Sequence, residues 1–252
     1  MANNKKTLNL HELKVSCQNC TLTDLCLPHG MGTDELQKLD SIVVRQQPFQ
    51  PGYHLFRPGD KSHALFAVRS GALKSYCITE DGEEQVLGFT LPGELVGMDG
   101  LGDGCYASAS VVLETSSICE LPFSKLENLC HELPGLQKQM LSMVGRELTA
   151  DQHMLMLLGK RTAEERLASF LLSLSSRYHQ RGLSATEFNL AMSRQDIGNY
   201  LGLAIETVSR LFANFQEMKV LKVNRRQISI LDIGSLKGMV EACIKQSLGT
   251  AM

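Results

Sequence analysis

The chain has 252 residues, 43% hydrophobic and 21% charged, which allows one or two domains and matches ordinary globular usage rather than disorder. No run approaches the ~18 apolar residues of a membrane span, and no apolar stretch follows Lys5 and Lys6 as it would in a secretory leader, so a cytoplasmic protein is expected. The net charge of −2 hides a split: from Arg161 onward 12 Lys and Arg face 8 Asp and Glu, against 13 and 19 in the remainder, so only the C-terminal part suits a polyanion.

Residues 1–32 are weakly periodic and hold Cys17, Cys20 and Cys26. In the cytosol disulfides rarely persist, and three thiols spaced Cys-x2-Cys-x5-Cys suit a metal or an iron–sulfur cluster whose fourth ligand comes from elsewhere. Cys77, Cys105, Cys119, Cys130 and Cys243 are the candidates. The lack of a second Cys-x2-Cys pair lowers zinc without excluding it, and any isolated cysteine is equally at home as a small buried hydrophobe.

From about Thr33 to Lys125 short β-rich runs (His63–Arg69, Leu73–Thr79, Gln85–Thr90) alternate with turn pairs such as Pro51-Gly52, Ser70-Gly71, Asp81-Gly82 and Pro92-Gly93. That texture predicts a β-sandwich or small β-barrel. Glu83 and Glu84 read as solvated hairpin residues.

Pro134 opens a helical pattern that runs to about Lys160. Leu141, Val144, Leu148, Asp151, Leu155 and Leu158 recur at alternating spacings of three and four, the seam of a two-stranded coiled coil. A second stripe, Leu136, Met140, Met143, Ala150, Met154 and Leu157, can face the chain's own domain. Two stripes predict two partners, hence a homodimer. Asp151 is the exception within the seam: two facing carboxylates at ~8 Å repel by roughly 0.5–2 kcal/mol, so pairing is expected to be marginal and open to control.

Shorter helices follow (Ala163–Tyr178, Ser193–Leu201, Ala204–Met218), then strands at Leu221–Val223 and Gln227–Leu231. With Arg194 as position one, Ile197, Leu201, Leu203, Val208 and Leu211 fall where a helix–turn–helix packs, Gly198 where its helices cross, and Gly202 in its turn. The second helix presents Glu206, Ser209 and Arg210 on one face. Arg210 can pair with guanine O6 and N7, Glu206 can accept from cytosine N4, and Ser209 can meet a base edge. Arg194 and Thr207 are placed for phosphates, and Arg225 and Arg226 lie on a wing that can follow the backbone.

These helix–turn–helix residues resemble the winged-helix domain of the cyclic-AMP receptor and FNR superfamily of transcription regulators. The N-terminal cysteines, the segment Ile118-Cys119-Glu120-Leu121-Pro122-Phe123, the long helix and Glu206-x2-Ser209-Arg210 together resemble its oxygen-sensing fumarate and nitrate reduction branch over essentially the whole chain. The resemblance implies an α+β protein with a cysteine-rich segment (1–32), a β-roll or jelly-roll sensor domain (33–130), a dimerisation helix (131–160) and a winged helix–turn–helix (161–252). It implies that Cys17, Cys20, Cys26 and Cys119 ligate a [4Fe-4S] cluster which oxygen converts to a [2Fe-2S] form. It also implies a homodimer on double-stranded promoter DNA at palindromic sites resembling TTGAT, and contact of loops such as Thr79–Gln85 with RNA polymerase. Oxygen is then the signal, and loss of the cluster gives inactive monomer.

Other effectors on the same fold stay open. A cyclic nucleotide needs a cation for its phosphate, yet between Ser70 and Ser124 the only candidate is Lys74, so none is expected. A haem would draw on His11, His29, His54, His63 or His131. No GxSxG, P-loop, HExxH or GxGxxG signature points to an enzyme.

Overall fold

The computed structural model describes residues 16–248, with side chains through Val240. Lys5, Lys6, His11 and the side chain of Cys243, considered above, lie outside the described residues.

After a 3-10 turn at Cys17–Asn19 comes α1 (Thr33–Ile42) and then eight strands: β1 (Val44–Arg45), β2 (His54–Phe56), β3 (Ala64–Ser70), β4 (Leu73–Ile78), β5 (Glu84–Thr90), β6 (Leu95–Val96), β7 (Ala109–Val112) and β8 (Ser117–Pro122). They form two antiparallel four-stranded sheets, ordered β1-β8-β3-β6 and β2-β7-β4-β5. The central strand β3 is buried continuously from Ala64 to Val68, because its sheet is covered on both faces. Successive side chains point to opposite faces. Ala64, Phe66 and Val68 join the core between the sheets, while Leu65 and Ala67 join a second core beneath α1 and the cysteine segment. The same period of two divides β8: Ile118 faces the inter-sheet core, and Cys119 and Leu121 face the second core.

Helix α2 (Phe123–Glu132) ends at Leu133, and α3 (Pro134–Lys160) starts with proline in its first turn, where a missing N–H breaks no helical bond. Leu136 and Met143 of α3 are buried in the second core. Leu141, Val144, Leu148, Asp151 and Leu155 are exposed and Leu158 is half-buried. Of the second stripe, Met140, Met154 and Leu157 are half-buried and Ala150 is exposed.

Helix α4 (Ala163–Gln180) is started by a capping box in which the Thr162 N–H donates to Glu165 and the Glu165 N–H to Thr162 Oγ1. The Arg166 guanidinium donates to the carbonyls of Leu158, Arg161 and Leu201 at 2.6, 3.0 and 3.0 Å, tying the end of α3 to the helices that follow. Strand β9 (Glu187–Asn189), α5 (Arg194–Leu201), α6 (Ile205–Glu217), β10 (Leu221–Asn224), β11 (Gln227–Ile230) and α7 (Ile233–Leu248) complete the chain. Strand β9 turns the β10–β11 wing into a three-stranded sheet.

The core of this C-terminal domain is continuous with the sandwich. Val86, Phe89 and Leu91 are buried together with Leu167, Leu171, Ile197 and Val208. Asn199 on α5 accepts the Val86 N–H at 2.5 Å and donates to the Glu84 carbonyl, and Lys74 bridges Glu84 and Asp196. Glu84 is therefore an ion-paired strand residue rather than the solvated turn residue its sequence suggests.

Candidate cysteine pocket and nucleic-acid interface

Residues 16–31 are wound into successive turns. The Cys20 N–H donates to Cys17 O, the Cys26 N–H to Leu22 O and the His29 N–H to Cys26 O. The Thr23 hydroxyl closes the first turn on the Cys20 carbonyl at 2.6 Å. Asp40 of α1 anchors the start by accepting the Cys17 N–H at 2.8 Å. Cys17, Cys20 and Cys26 consequently line one cavity, and Cys119, on the outer face of β8, lines it from the opposite wall.

Among the described cysteines outside the N-terminal segment, Cys119 alone reaches this cavity. Cys77 lies near the Ala107 carbonyl, Cys105 is exposed, and Cys130 contacts the Met140 sulfur at 3.3 Å. Leu22, Leu27, Leu39, Val43, Ala67 and Leu121 make the wall largely apolar, and no histidine lines it.

Two arginines face the thiols, Arg45 and Arg69. Arg45 donates to Asp40 Oδ1 at 2.5 Å and to Cys17 Sγ at 3.4 Å, and its Nε is buried without a partner. Burial and then the bond to Asp40 push the Cys17 thiol up to about 12. Burial likewise pushes Cys26 up to about 12 and raises Cys119, and nearby thiols oppose each other's ionisation. Burial thus favours the protonated form of Cys17, Cys26 and Cys119, and a metal ligated there must displace those protons.

The donor set fits an iron–sulfur cluster: four soft sulfurs, an apolar wall and cations to balance buried negative charge. It fits one tetrahedral ion less well, since among the described residues no three His, Cys, Asp or Glu side chains converge as a single ion requires.

In the C-terminal domain, α5 and α6 form the helix–turn–helix. Gly202 caps α5 in the left-handed region, with φ +63°, and a Cβ on Gly198 would lie 2.6 Å from the Leu203 carbonyl oxygen. That contact is closer than any side chain permits, so the crossing requires glycine. Glu206, Ser209 and Arg210 are exposed on α6, and Thr207 is half-buried. Arg194, at the start of α5, stacks on the Phe212 ring with 3.4 Å to its centroid, and burial pulls its pKa down to about 10. Its Nη1 is buried without a partner. Arg225 and Arg226 form the exposed tip of the β10–β11 hairpin, with Arg225 at φ +56°.

A family model described as a Crp-like helix-turn-helix domain matches residues 165–239, and one described as a cyclic nucleotide-binding domain matches residues 46–132. The chain is 49% identical over 216 residues to the transcriptional activator protein Anr of Pseudomonas aeruginosa, covering 86% of this chain and 88% of that protein. It is 48% identical over 216 residues to the fumarate and nitrate reduction regulatory protein of Escherichia coli, covering 86% of each. This chain belongs to the FNR family of transcription regulators. Among solved structures, FixK2 of Bradyrhizobium japonicum matches with a TM-score of 0.72 at 28% identity, over 78% of this chain and 97% of that one. As an FNR-family regulator the protein is not an enzyme, and its fold is the α+β arrangement expected from sequence: a cyclic-nucleotide-binding-like sandwich followed by helices and a helix–turn–helix.

The sequence did not show what several residues around these sites do. Asp40 and Arg45 carried no signal beyond their charge, because their partners lie in a segment joined to them only by folding. Lys74 is tied to Glu84 and Asp196. Gln85, which the sequence puts where the Thr79–Gln85 loop meets the Gln85–Thr90 strand run, donates to the Asn199 carbonyl at 3.1 Å.

Proposed function

We propose that this FNR-family chain is an oxygen-responsive, cytoplasmic transcription regulator in which Cys17, Cys20, Cys26 and Cys119 hold a [4Fe-4S] cluster. The observation that carries the reading is the convergence on one apolar cavity of three thiols from the N-terminal turns and one from β8. When bound, such a cluster supplies oxygen-sensitive redox chemistry that protein side chains lack.

The chain's own contribution is fixing and shielding. Asp40 orients both Cys17 and Arg45. Leu22, Leu27 and Leu39 exclude water from the thiols. With Cys119 on β8 and the other thiols on the preceding segment, occupancy ties that segment to the sheet. The sheet in turn shares a core with α2 and α3 through Leu121, Leu126, Leu136 and Met143.

Pairing of two chains along Leu141, Val144, Leu148, Asp151, Leu155 and Leu158 then covers the exposed stripe of α3 and presents two reading heads to a palindromic operator. Glu206, Ser209 and Arg210 meet base edges, while Arg194, Thr207, Arg225 and Arg226 meet phosphates. RNA polymerase is the expected partner of the sensor-domain loops.

A cyclic nucleotide is disfavoured because Lys74, the only Lys or Arg between Ser70 and Ser124, is already held by two carboxylates. The test is anaerobic purification with iron and sulfide analysis, an absorption spectrum and operator gel shifts before and after air. Cys119→Ser should lose the cluster and operator binding together. Oxygen-free protein with stoichiometric zinc, or with no iron, that still binds its operator tightly would overturn the reading.

A further inference from the structure

One turn of the sandwich touches both the cysteine segment and the C-terminal domain. Pro92, Gly93 and Glu94 link β5 to β6. On one side Gly93 lines the cysteine cavity. Its φ is +88°, and a Cβ added there would lie 2.9 Å from Leu25 Cβ and 3.8 Å from Leu22 Cβ. The cysteine segment therefore rests directly on the backbone of this turn.

On the other side Glu94 reaches the DNA-binding domain. Its Oε1 accepts from Arg177 Nε at 2.9 Å and Arg181 Nη2 at 2.6 Å. Its Oε2 accepts from Arg177 Nη2 at 2.5 Å and from the Leu91 N–H at 2.9 Å. Four donors fill the carboxylate's acceptor sites, and the Arg177 contact is the two-pronged fork that fixes direction as well as distance. The arginines also donate to the turn's backbone, Arg181 Nε to Pro92 O at 2.6 Å and Arg177 Nη2 to Phe89 O at 2.5 Å.

Both arginines sit in or at the end of α4, whose Leu167, Leu171 and Leu174 share one core with Ile197, Leu201 and Val208 of the helix–turn–helix. Whatever sets the direction of α4 sets the direction of α6. The contact masks nothing, since Glu206, Ser209 and Arg210 stay exposed.

We propose that Glu94 is a positioning residue for DNA recognition: through Arg177 and Arg181 it fixes the angle of the reading head on the sensor domain, and the Leu25–Gly93 contact lets the cysteine segment act on that angle. In a dimer the angle decides how far apart, and in what rotational phase, two half-sites are read. The proposal rests on the dimeric operator reading above, and extends it by naming the joint through which the cysteine site and the reading head communicate.

The test uses the full-length protein prepared without oxygen, carrying Glu94→Gln, which keeps the volume and removes the charge. Binding is measured to palindromic operators of native half-site spacing and of spacings one base pair longer and shorter, with iron content and sedimentation recorded on the same samples. The expected result is a loss of about tenfold at native spacing, as for a severed charge-assisted network, with the preference for native over altered spacing flattened. Iron and dimer content should stay unchanged, and Glu94→Asp should recover part of the preference.

A merely structural role would lower affinity for all three operators alike. Unchanged spacing preference in an iron-loaded, dimeric Glu94→Gln protein would overturn the proposal. Should that variant fail to fold, Arg177→Lys, which keeps the charge and loses the fork, tests the same property with the same two outcomes. Wild-type protein without iron that still prefers native spacing, and loses the preference on Glu94→Gln, would sustain the role of Glu94 while overturning the cluster reading.

Discussion

Arg45 donates to the sulfur of Cys17 at 3.4 Å while Asp40 holds both residues, Arg45 through its guanidinium and Cys17 through its backbone N–H. A cation fixed beside Cys17 and Cys119 stabilises the ionised form that the proposed cluster requires, because an opposite charge within ~4–6 Å favours ionisation. Arg45→Leu is expected to retain the fold and to hold iron less well. Iron per chain after anaerobic gel filtration should fall below wild type, and thiol titration of the emptied protein should show the Cys17 thiol harder to ionise. Equal iron retention would show that Arg45 has no part in the site.

The seam of α3 carries a second expectation. Leu141, Leu148 and Leu155 are 68%, 59% and 72% exposed in the single chain, and Asp151 lies among them. Removing its charge takes away a repulsion of roughly 0.5–2 kcal/mol across the pair, about a twofold to thirtyfold gain in association. Asp151→Ala should therefore sediment as a dimer without iron at concentrations where the parent is monomeric. A monomeric, iron-free variant would show that the seam is not poised by this residue.

At the reading head, Arg210→Ala should weaken operator binding by about 1–3 kcal/mol and relax discrimination at one base pair of each half-site. Arg226→Ala, at the wing tip, should weaken binding to all sequences alike and flatten its salt dependence. Binding titrations on singly substituted operators at several salt concentrations separate the two behaviours. A uniform effect of Arg210→Ala across all substitutions would remove it from base reading.

Acid should loosen the contact between the two domains. Burial opposes ionisation of Glu94, but Arg177 and Arg181 outweigh it. Burial of Asp196 is likewise outweighed by Ser193 and Lys74. Both carboxyls lie below their ordinary values of 4.5 and 3.8. A depressed folded value means that the folded state binds fewer protons than the unfolded state. The stabilisation is then complete above the unfolded values and disappears as pH falls through the folded ones. Melting temperature should drop below about pH 4, and Glu94→Gln should show a shallower drop. Identical acid profiles for the two proteins would contradict the assignment.

Local chemistry made much of the C-terminal half legible in the sequence. Pro134 marks the first residue of α3, the predicted helix from Ala163 extends two residues beyond Tyr178, and Gly198 and Gly202 sit where a close crossing and a left-handed cap require them. The N-terminal half was less legible. Strands β1, β2 and β6 are only two or three residues long, too short to show a period, and β9 pairs with a wing about forty residues away in the chain. Spacing alone left Cys119 among five candidates and only the family resemblance singled it out; strand alternation puts it with Leu121 on the outer face of β8. The clamp of Glu94 by Arg177 and Arg181 spans more than eighty residues, and no local pattern announces a pair that only the docked domains bring together.

The leucine ridge of α3 has a practical corollary for anyone handling the molecule. A lone copy bears a greasy strip along most of a 27-residue helix, and strips of that kind promote indiscriminate sticking. Dilute stocks should stay clear, whereas concentrating the lone chain should drive it either into ordered pairs or into haze, and the choice between them is a simple turbidity readout of how well the ridge is matched to itself.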